Sequence, residues 1–176
     1  MLFSTLISEC GIGGNFLKIW SGLYTDHKVF VRLSDGLLQP IETTIGLKQG
    51  CCLSSLLFNL FINKLPTIFD ESCDPVSIES ESLSSLLWAD DLLIMSRSAQ
   101  GLQNAIKKTH DFYSSIGLHI NESKTKVMIF NGQGRKLATA NHIFYIGTLV
   151  IEVVDTYQYL GIQLKPSGAM QHACSR

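Results

Sequence analysis

The sequence is short of charge. Aspartate, glutamate, lysine and arginine make up 16% of its 176 residues, and the net charge is −1. Composition alone therefore gives no electrostatic footprint for a polyanion such as nucleic acid. A basic targeting cluster is also missing, so nothing chooses between nucleus and cytoplasm. No uninterrupted run of about 18 apolar residues occurs, which excludes a helix that spans a membrane. The first twenty residues have no basic leader, and Ser4, Ser8 and Glu9 break up their apolar character, a poor signal peptide. Five cysteines, Cys10, Cys51, Cys52, Cys73 and Cys174, form neither a C-x-x-C pair nor an even framework. A disulfide scaffold is excluded, and a reduced, intracellular compartment is expected. Internal repeats are absent. Hydrophobic residues, by contrast, reach 45%, and a chain of this length can bury about 70% of its unfolded surface. An apolar chain with little surface charge implies an exposed face that a missing partner would cover.

The most informative stretch is residues 83–96, Leu-Ser-Ser-Leu-Leu-Trp-Ala-Asp-Asp-Leu-Leu-Ile-Met-Ser. Two apolar runs, 86–88 and 92–95, bracket the adjacent Asp90 and Asp91. Short apolar runs suit buried strands, although periodicity alone leaves a buried helix open. Two carboxylates between such runs make no sense as packing, because an unpaired buried charge is costly or shifts its pKa to neutralise. They become sensible at the tip of a hairpin, where both can converge and a divalent cation can relieve their repulsion. The plainer alternative is an Asp-Asp turn in a solvated hairpin.

Elsewhere the pattern predicts a helix over 15–24 capped by Asn15, with Phe16, Leu17, Trp20, Leu23 and Tyr24 on its buried stripe. Strands are expected at 29–32 and 40–44, joined across Ser34-Asp35-Gly36. A second helix should run from an N-cap at Ser54 to about Leu65, stopped by Pro66. Residues 67–81 read as an acidic loop. A third helix is expected from Ser98 to Ile116, ended by Gly117. His110 and His119 have no partner at metal-ligand spacing and read as ordinary polar residues. Strands at 127–130, 142–146, 149–154 and 157–164 complete the pattern, and 165–176 reads as a frayed tail.

Four stretches, in this order, resemble the reverse transcriptases of non-LTR (LINE-type) retrotransposons. Gly46-Leu-Lys-Gln49-Gly50-Cys-Cys-Leu-Ser54, followed by Leu57-Phe58-Asn59-Leu60-Phe61-Ile62, is similar to motif B of that family. Trp88-Ala89-Asp90-Asp91 is similar to motif C, Gly117-Leu-His-Ile-Asn121-Glu-Ser-Lys124-Thr125-Lys126 to motif D, and Tyr157-Gln-Tyr159-Leu160-Gly161-Ile162 to motif E, the primer-grip hairpin. The lead-in Gly11-Ile-Gly-Gly-Asn15-Phe-Leu-Lys is similar to the segment ahead of motif B. One Asp-Asp pair is weak evidence; four collinear motifs are strong.

The resemblance implies an α+β partial palm over 1–164, an antiparallel sheet with helices packed mainly on one face. It implies RNA-directed DNA polymerisation with Mg²⁺ or Mn²⁺ held by Asp90 and Asp91, Asp90 being the stronger ligand. RNA template, DNA primer and dNTPs would be the partners, and no membrane. Gln49 and Gly50 would lie along nucleotide and template, Lys124 would serve the leaving pyrophosphate, and Tyr159, Leu160 and Gly161 would position the primer end. Departures are Trp88 in place of the usual Tyr or Phe, and Cys52 and Ser55 where prolines are usual. The third metal carboxylate of the family belongs to motif A, upstream of motif B, and nothing before Gly46 fits it. The piece by itself is therefore expected to be inactive. The rival readings are a non-catalytic nucleic-acid-binding module and a decayed structural remnant.

Overall fold

The computed structural model describes residues 11–25, 28–42, 50–130, 142–166 and 170–172. It forms two compact units, Met1–Lys64 with Trp88–Asp91, and Leu65–Leu87 with Leu92–Arg176. Helices and six small sheets alternate among the described residues, which makes the class α+β.

In the first unit, helix α1 (Gly14–Tyr24) begins after Gly13, and no side chain caps it. The expected cap, Asn15, lies inside the first turn instead. Trp20 on α1 and Leu57 on helix α2 (Cys52–Ile62) are the buried centre, joined by Leu17, Tyr24, Leu53 and Leu60. Helix α2 starts two residues before the expected N-cap. Ser54 is thereby buried inside the helix, and its hydroxyl lies 3.0 Å from the hydroxyl of Tyr24, a polar link between the two helices. Ahead of Pro66, which lacks the N–H a helix needs, α2 gives way to a 3-10 turn, Leu65–Ile68. Between the helices the chain folds back on itself. Strand β1 (Lys28–Val29) pairs with β4 (Ile41–Glu42), and β2 (Arg32–Leu33) with β3 (Gly36–Leu37) around Ser34 and Asp35. The Leu38 N–H donates to the Val31 carbonyl at 2.9 Å and ties the two pairs together. Its apolar side chains, Val29, Phe30, Leu33, Leu37 and Ile41 among them, are exposed.

The second unit is organised by helix α3 (Ala99–Ser115). It is capped as expected: the Ser98 hydroxyl accepts from the Gly101 N–H at 3.1 Å, and Gly117 follows the last turn at φ +76°. Ile106 packs into a core with Val127, Phe144, Ile146 and Ile151. Those residues lie on β9 (Lys126–Val127), β10 (Phe144–Ile146) and β11 (Leu149–Val153). β10 and β11 pair antiparallel, and β11 pairs parallel with β9. Gln103 of α3 both donates to and accepts from the backbone of Tyr145, each at 2.9 Å, which satisfies one β10 residue through the helix.

Three segments differ from expectation. The acidic loop 67–81 contains β5 (Val76–Ile78), which pairs with β6 (Glu81–Leu83) through a turn where Glu79 has φ +55°. The single strand that the apolar pattern suggests at 157–164 is a hairpin, as the resemblance to motif E implies: β12 (Tyr157–Tyr159) and β13 (Ile162–Leu164), broken by Leu160 and Gly161 at φ +47° and +80°. Two consecutive positive φ values give the turn type that suits the strand twist, and glycine supplies one at no steric cost. Of residues 165–176, Met170–His172 pair as β14 with β13, and 167–169 and 173–176 lie outside the described residues.

One charge contact in this unit sets an acid dependence. Lys108 pairs with the Asp70 carboxylate, which also accepts from the Ser72 hydroxyl and, at 3.0 Å, from the Ser72 N–H. Lys108 first, then Ser72, lower the Asp70 pKa from 3.8 to about 2. The folded value lies below the unfolded one, so this contribution is complete above about pH 4 and lost as pH falls through about 2. The melting temperature of the parent chain should accordingly drop more steeply over that window than that of Asp70→Asn. Parallel slopes would refute the assignment.

Candidate functional site

Strands β7 (Ser85–Trp88) and β8 (Asp91–Ile94) pair as a two-stranded sheet, leaving Ala89 and Asp90 as a two-residue turn. The pairing continues beyond the strands, where the Met95 N–H donates to the Ser84 carbonyl at 2.8 Å. This is the expected hairpin with acids at its tip, but its strands are half-buried or exposed rather than buried, Leu86 being 45% exposed. Asp90 stands in the turn and Asp91 opens β8; both are exposed. Ala89 sits at φ +53°, the left-handed region that a Cβ disfavours. Trp88 next to it is 67% exposed. The indole therefore faces out at the tip and contributes no core.

Two exposed neighbouring carboxylates have the donor set of a hard divalent cation. Mg²⁺ is held by one or two carboxylates with water and substrate phosphates completing the shell. Among the described residues no cluster of three or more His, Cys, Asp or Glu side chains is arranged to hold a metal. The pair thus fits as a partial seat that substrate phosphates would complete.

Gly50 belongs to the same compact unit as the acidic tip. It is exposed at φ +80°, and an added Cβ would meet nothing within 4 Å, so backbone rather than side chain is presented there. Its neighbour Gln49 lies outside the described residues. Lys124 and the turn carrying Tyr159, Leu160 and Gly161 belong to the second unit. Lys124 is exposed in a tight turn, its N–H 3.2 Å from both the Asn121 carbonyl and the Asn121 side-chain oxygen. The Tyr157 hydroxyl donates to the Lys124 carbonyl at 3.2 Å. Residues 33 positions apart are in this way brought together: the hairpin of the last motif holds the lysine turn by its backbone. Sequence reading missed Tyr157 in that role, because no spacing rule signals a tyrosine that bonds a distant loop. Tyr159 is half-buried in β12, and Leu160 is 49% exposed at the turn.

His110 and His119 border a shallow depression at the C-terminal end of α3, with Glu122 nearby. Nδ1 of His110 lies 3.6 Å from Asp111 of its own helix. That depression holds none of the predicted site residues.

Cys51, just ahead of α2, is a free thiol whose pKa is lowered by hydrogen bonds, chiefly from Ser54 and then from the Leu53 backbone and Tyr24. Cys73 is free and buried.

Comparison with known proteins matches residues 9–164 to the family model described as reverse transcriptase (RNA-dependent DNA polymerase). Curated relatives are Pol polyproteins of retrotransposable elements. The R2DM element of Drosophila melanogaster is 30% identical over 131 residues, covering 72% of this chain and 12% of that protein. The R2 protein of Popillia japonica is 27% identical over 158 residues, 87% of this chain and 24% of its own length. That of Nasonia vitripennis is 26% identical over 137 residues, covering 74% and 13%. The chain thus spans between about an eighth and a quarter of the length of these relatives.

Proposed function

Because the chain belongs to the reverse transcriptase (RNA-dependent DNA polymerase) family, we propose that it is the metal-seating part of a non-LTR retrotransposon polymerase palm. The activity of that polymerase would be template-directed addition of dNTPs to the 3′-end of a DNA primer on RNA. One observation carries the reading: Asp90 in a two-residue turn and Asp91 at the first position of β8 stand together at the tip of a hairpin of apolar strands. Asp90 is the stronger ligand for Mg²⁺ or Mn²⁺, and Asp91 the accessory one. Bound there, the ion would activate the primer hydroxyl and neutralise charge developing on the triphosphate.

The chain's own residues do the positioning. Gln49 and Gly50 lie along the nucleotide and template, where the missing side chain of glycine lets backbone approach closely. Lys124 offers its ammonium to the leaving pyrophosphate, and the Tyr157 bond to its carbonyl holds the turn from which it reaches. Tyr159, Leu160 and Gly161 position the primer end from a two-residue turn with both φ values positive. The enzyme works in a reducing intracellular compartment, in keeping with free Cys51 and Cys73.

Primer extension on poly(rA)·oligo(dT) with Mg²⁺ and a Mn²⁺ titration followed by electron paramagnetic resonance test the reading together. The chain alone is expected to incorporate nothing above an Asp90→Asn control, because Asp90 and Asp91 are two of the three carboxylates that the resemblance implies for the two-ion geometry. It is expected to bind Mn²⁺ in a manner that Asp90→Asn and Asp91→Asn each weaken. Manganese affinity indifferent to both substitutions would sink the metal seat.

A further inference from the structure

Immediately after β8, the chain is pinned to a loop and to the start of α3 within a few residues. The Ser96 hydroxyl donates to the Cys73 carbonyl at 2.7 Å and accepts from the Ser98 N–H at 3.3 Å. The Arg97 N–H donates to the Asp74 carbonyl at 2.9 Å, while its guanidinium reaches Asp74 Oδ1 through Nε at 3.1 Å and Nη2 at 2.8 Å. Asp74 itself sits at φ +48°. A non-glycine residue persists there when its surroundings over-determine it. The backbone of α3 approaches closely at Gly101. An added Cβ would lie 2.6 Å from both the Cys73 carbonyl and the Ser96 hydroxyl, and 2.7 Å from the Asp74 Cβ. Cys73 has no exposed surface. The Asn104 amide donates to the Ser72 carbonyl at 2.8 Å, which fastens the same loop one turn further along α3.

None of these groups belongs to the buried cluster around Ile106. Their common effect is on the base of the β7–β8 hairpin. An isolated two-stranded hairpin is marginal in water, and a catalytic group must be held to about half an ångström. The tip acids sit on such a hairpin. Its first residues beyond the Met95–Ser84 bond are the ones seized.

We propose that Ser96, Arg97, Asp74 and Gly101 form a clamp that positions the hairpin bearing Asp90 and Asp91, so that they act as positioning residues for metal binding. The proposal rests on the metal-seat reading of that hairpin, and the experiment separates the two. In the full chain, amide hydrogen exchange of Leu93 and Met95, whose N–H groups face β7 in the alternation that the Met95–Ser84 bond sets, reads the clamp directly, and Mn²⁺ titration by electron paramagnetic resonance reads the tip. Ser96→Ala and Arg97→Ala should each raise exchange of those amides by about tenfold, the equivalent of one lost hydrogen bond, and weaken Mn²⁺ binding several-fold. Ser96→Thr, which keeps the hydroxyl, should restore both. Lys108→Ala removes a different bond between the same loop and the same helix and should change neither. Unaltered exchange in Ser96→Ala and Arg97→Ala, or an equal rise in Lys108→Ala, overturns the clamp. A parent chain whose Mn²⁺ affinity ignores Asp90 and Asp91 overturns the metal reading, while the exchange data still decide the clamp.

Discussion

Asp90→Asn is expected to cut RNA-templated primer extension about a thousandfold, equivalent to about 4 kcal/mol of transition-state stabilisation. The measurement uses a chimera in which the matched 72% of this chain replaces the corresponding segment of the Drosophila R2DM protein. Asparagine keeps the size of the side chain and its place in the two-residue turn, so the hairpin is preserved. What disappears is the charge. A carboxylate holding a divalent ion contributes more as charge accumulates on the triphosphate, so the loss falls on kcat while KM for dNTP moves less. Asp91→Asn at the first position of β8 should cost less, in the range of ten- to a hundredfold. A loss below tenfold for Asp90→Asn, with the unsubstituted chimera as reference, would remove Asp90 from the metal seat.

Leu57→Ala is expected to destabilise the first unit by about 2–5 kcal/mol, the range for emptying a fully buried leucine site. Leu57 has no exposed surface, and among the described residues it forms a buried cluster with Trp20, which is 3% exposed. Total stabilities of about 5–15 kcal/mol are usual for a whole domain, and here several large apolar side chains of α1 and of the 28–42 hairpin lie in solvent. Hydrogen exchange should show the amides of α1 and α2 losing their protection. Leu56→Ala, one residue away but half exposed, should leave them nearly unchanged. Similar effects at the two positions would mean that the Trp20–Leu57 contact is not the centre of this unit.

Legibility in the sequence followed how local the deciding physics was. Helix α3 was readable from a serine cap, a regular apolar stripe and a terminal glycine, all within twenty residues. The β7–β8 hairpin was readable because leucines on either side leave two acids nowhere to go except a tip. The β5–β6 pair was not, since serines and glutamates carry no strand signature and the turn uses Glu79 at a positive φ. Residues 157–164 read as one strand because their apolar character runs unbroken through Leu160, where the backbone reverses. Ser54 looked like a helix cap from its neighbours alone. Its hydroxyl instead answers Tyr24, thirty residues away. At the candidate site the acidic pair, Gly50 and the lysine turn were legible by type and order. The bond from Tyr157 to that turn depends on tertiary approach, which no local pattern encodes.

The alanine at the head of the acidic hairpin has a consequence for its mechanics. Holding a Cβ in the left-handed region costs about 1–2 kcal/mol, and glycine would relieve it. Ala89 keeps that bend under tension but denies the turn the many other conformations glycine would sample. The bend thus behaves like a stiff spring, trading a little stability for a narrow spread of angles at the two neighbouring carboxylates.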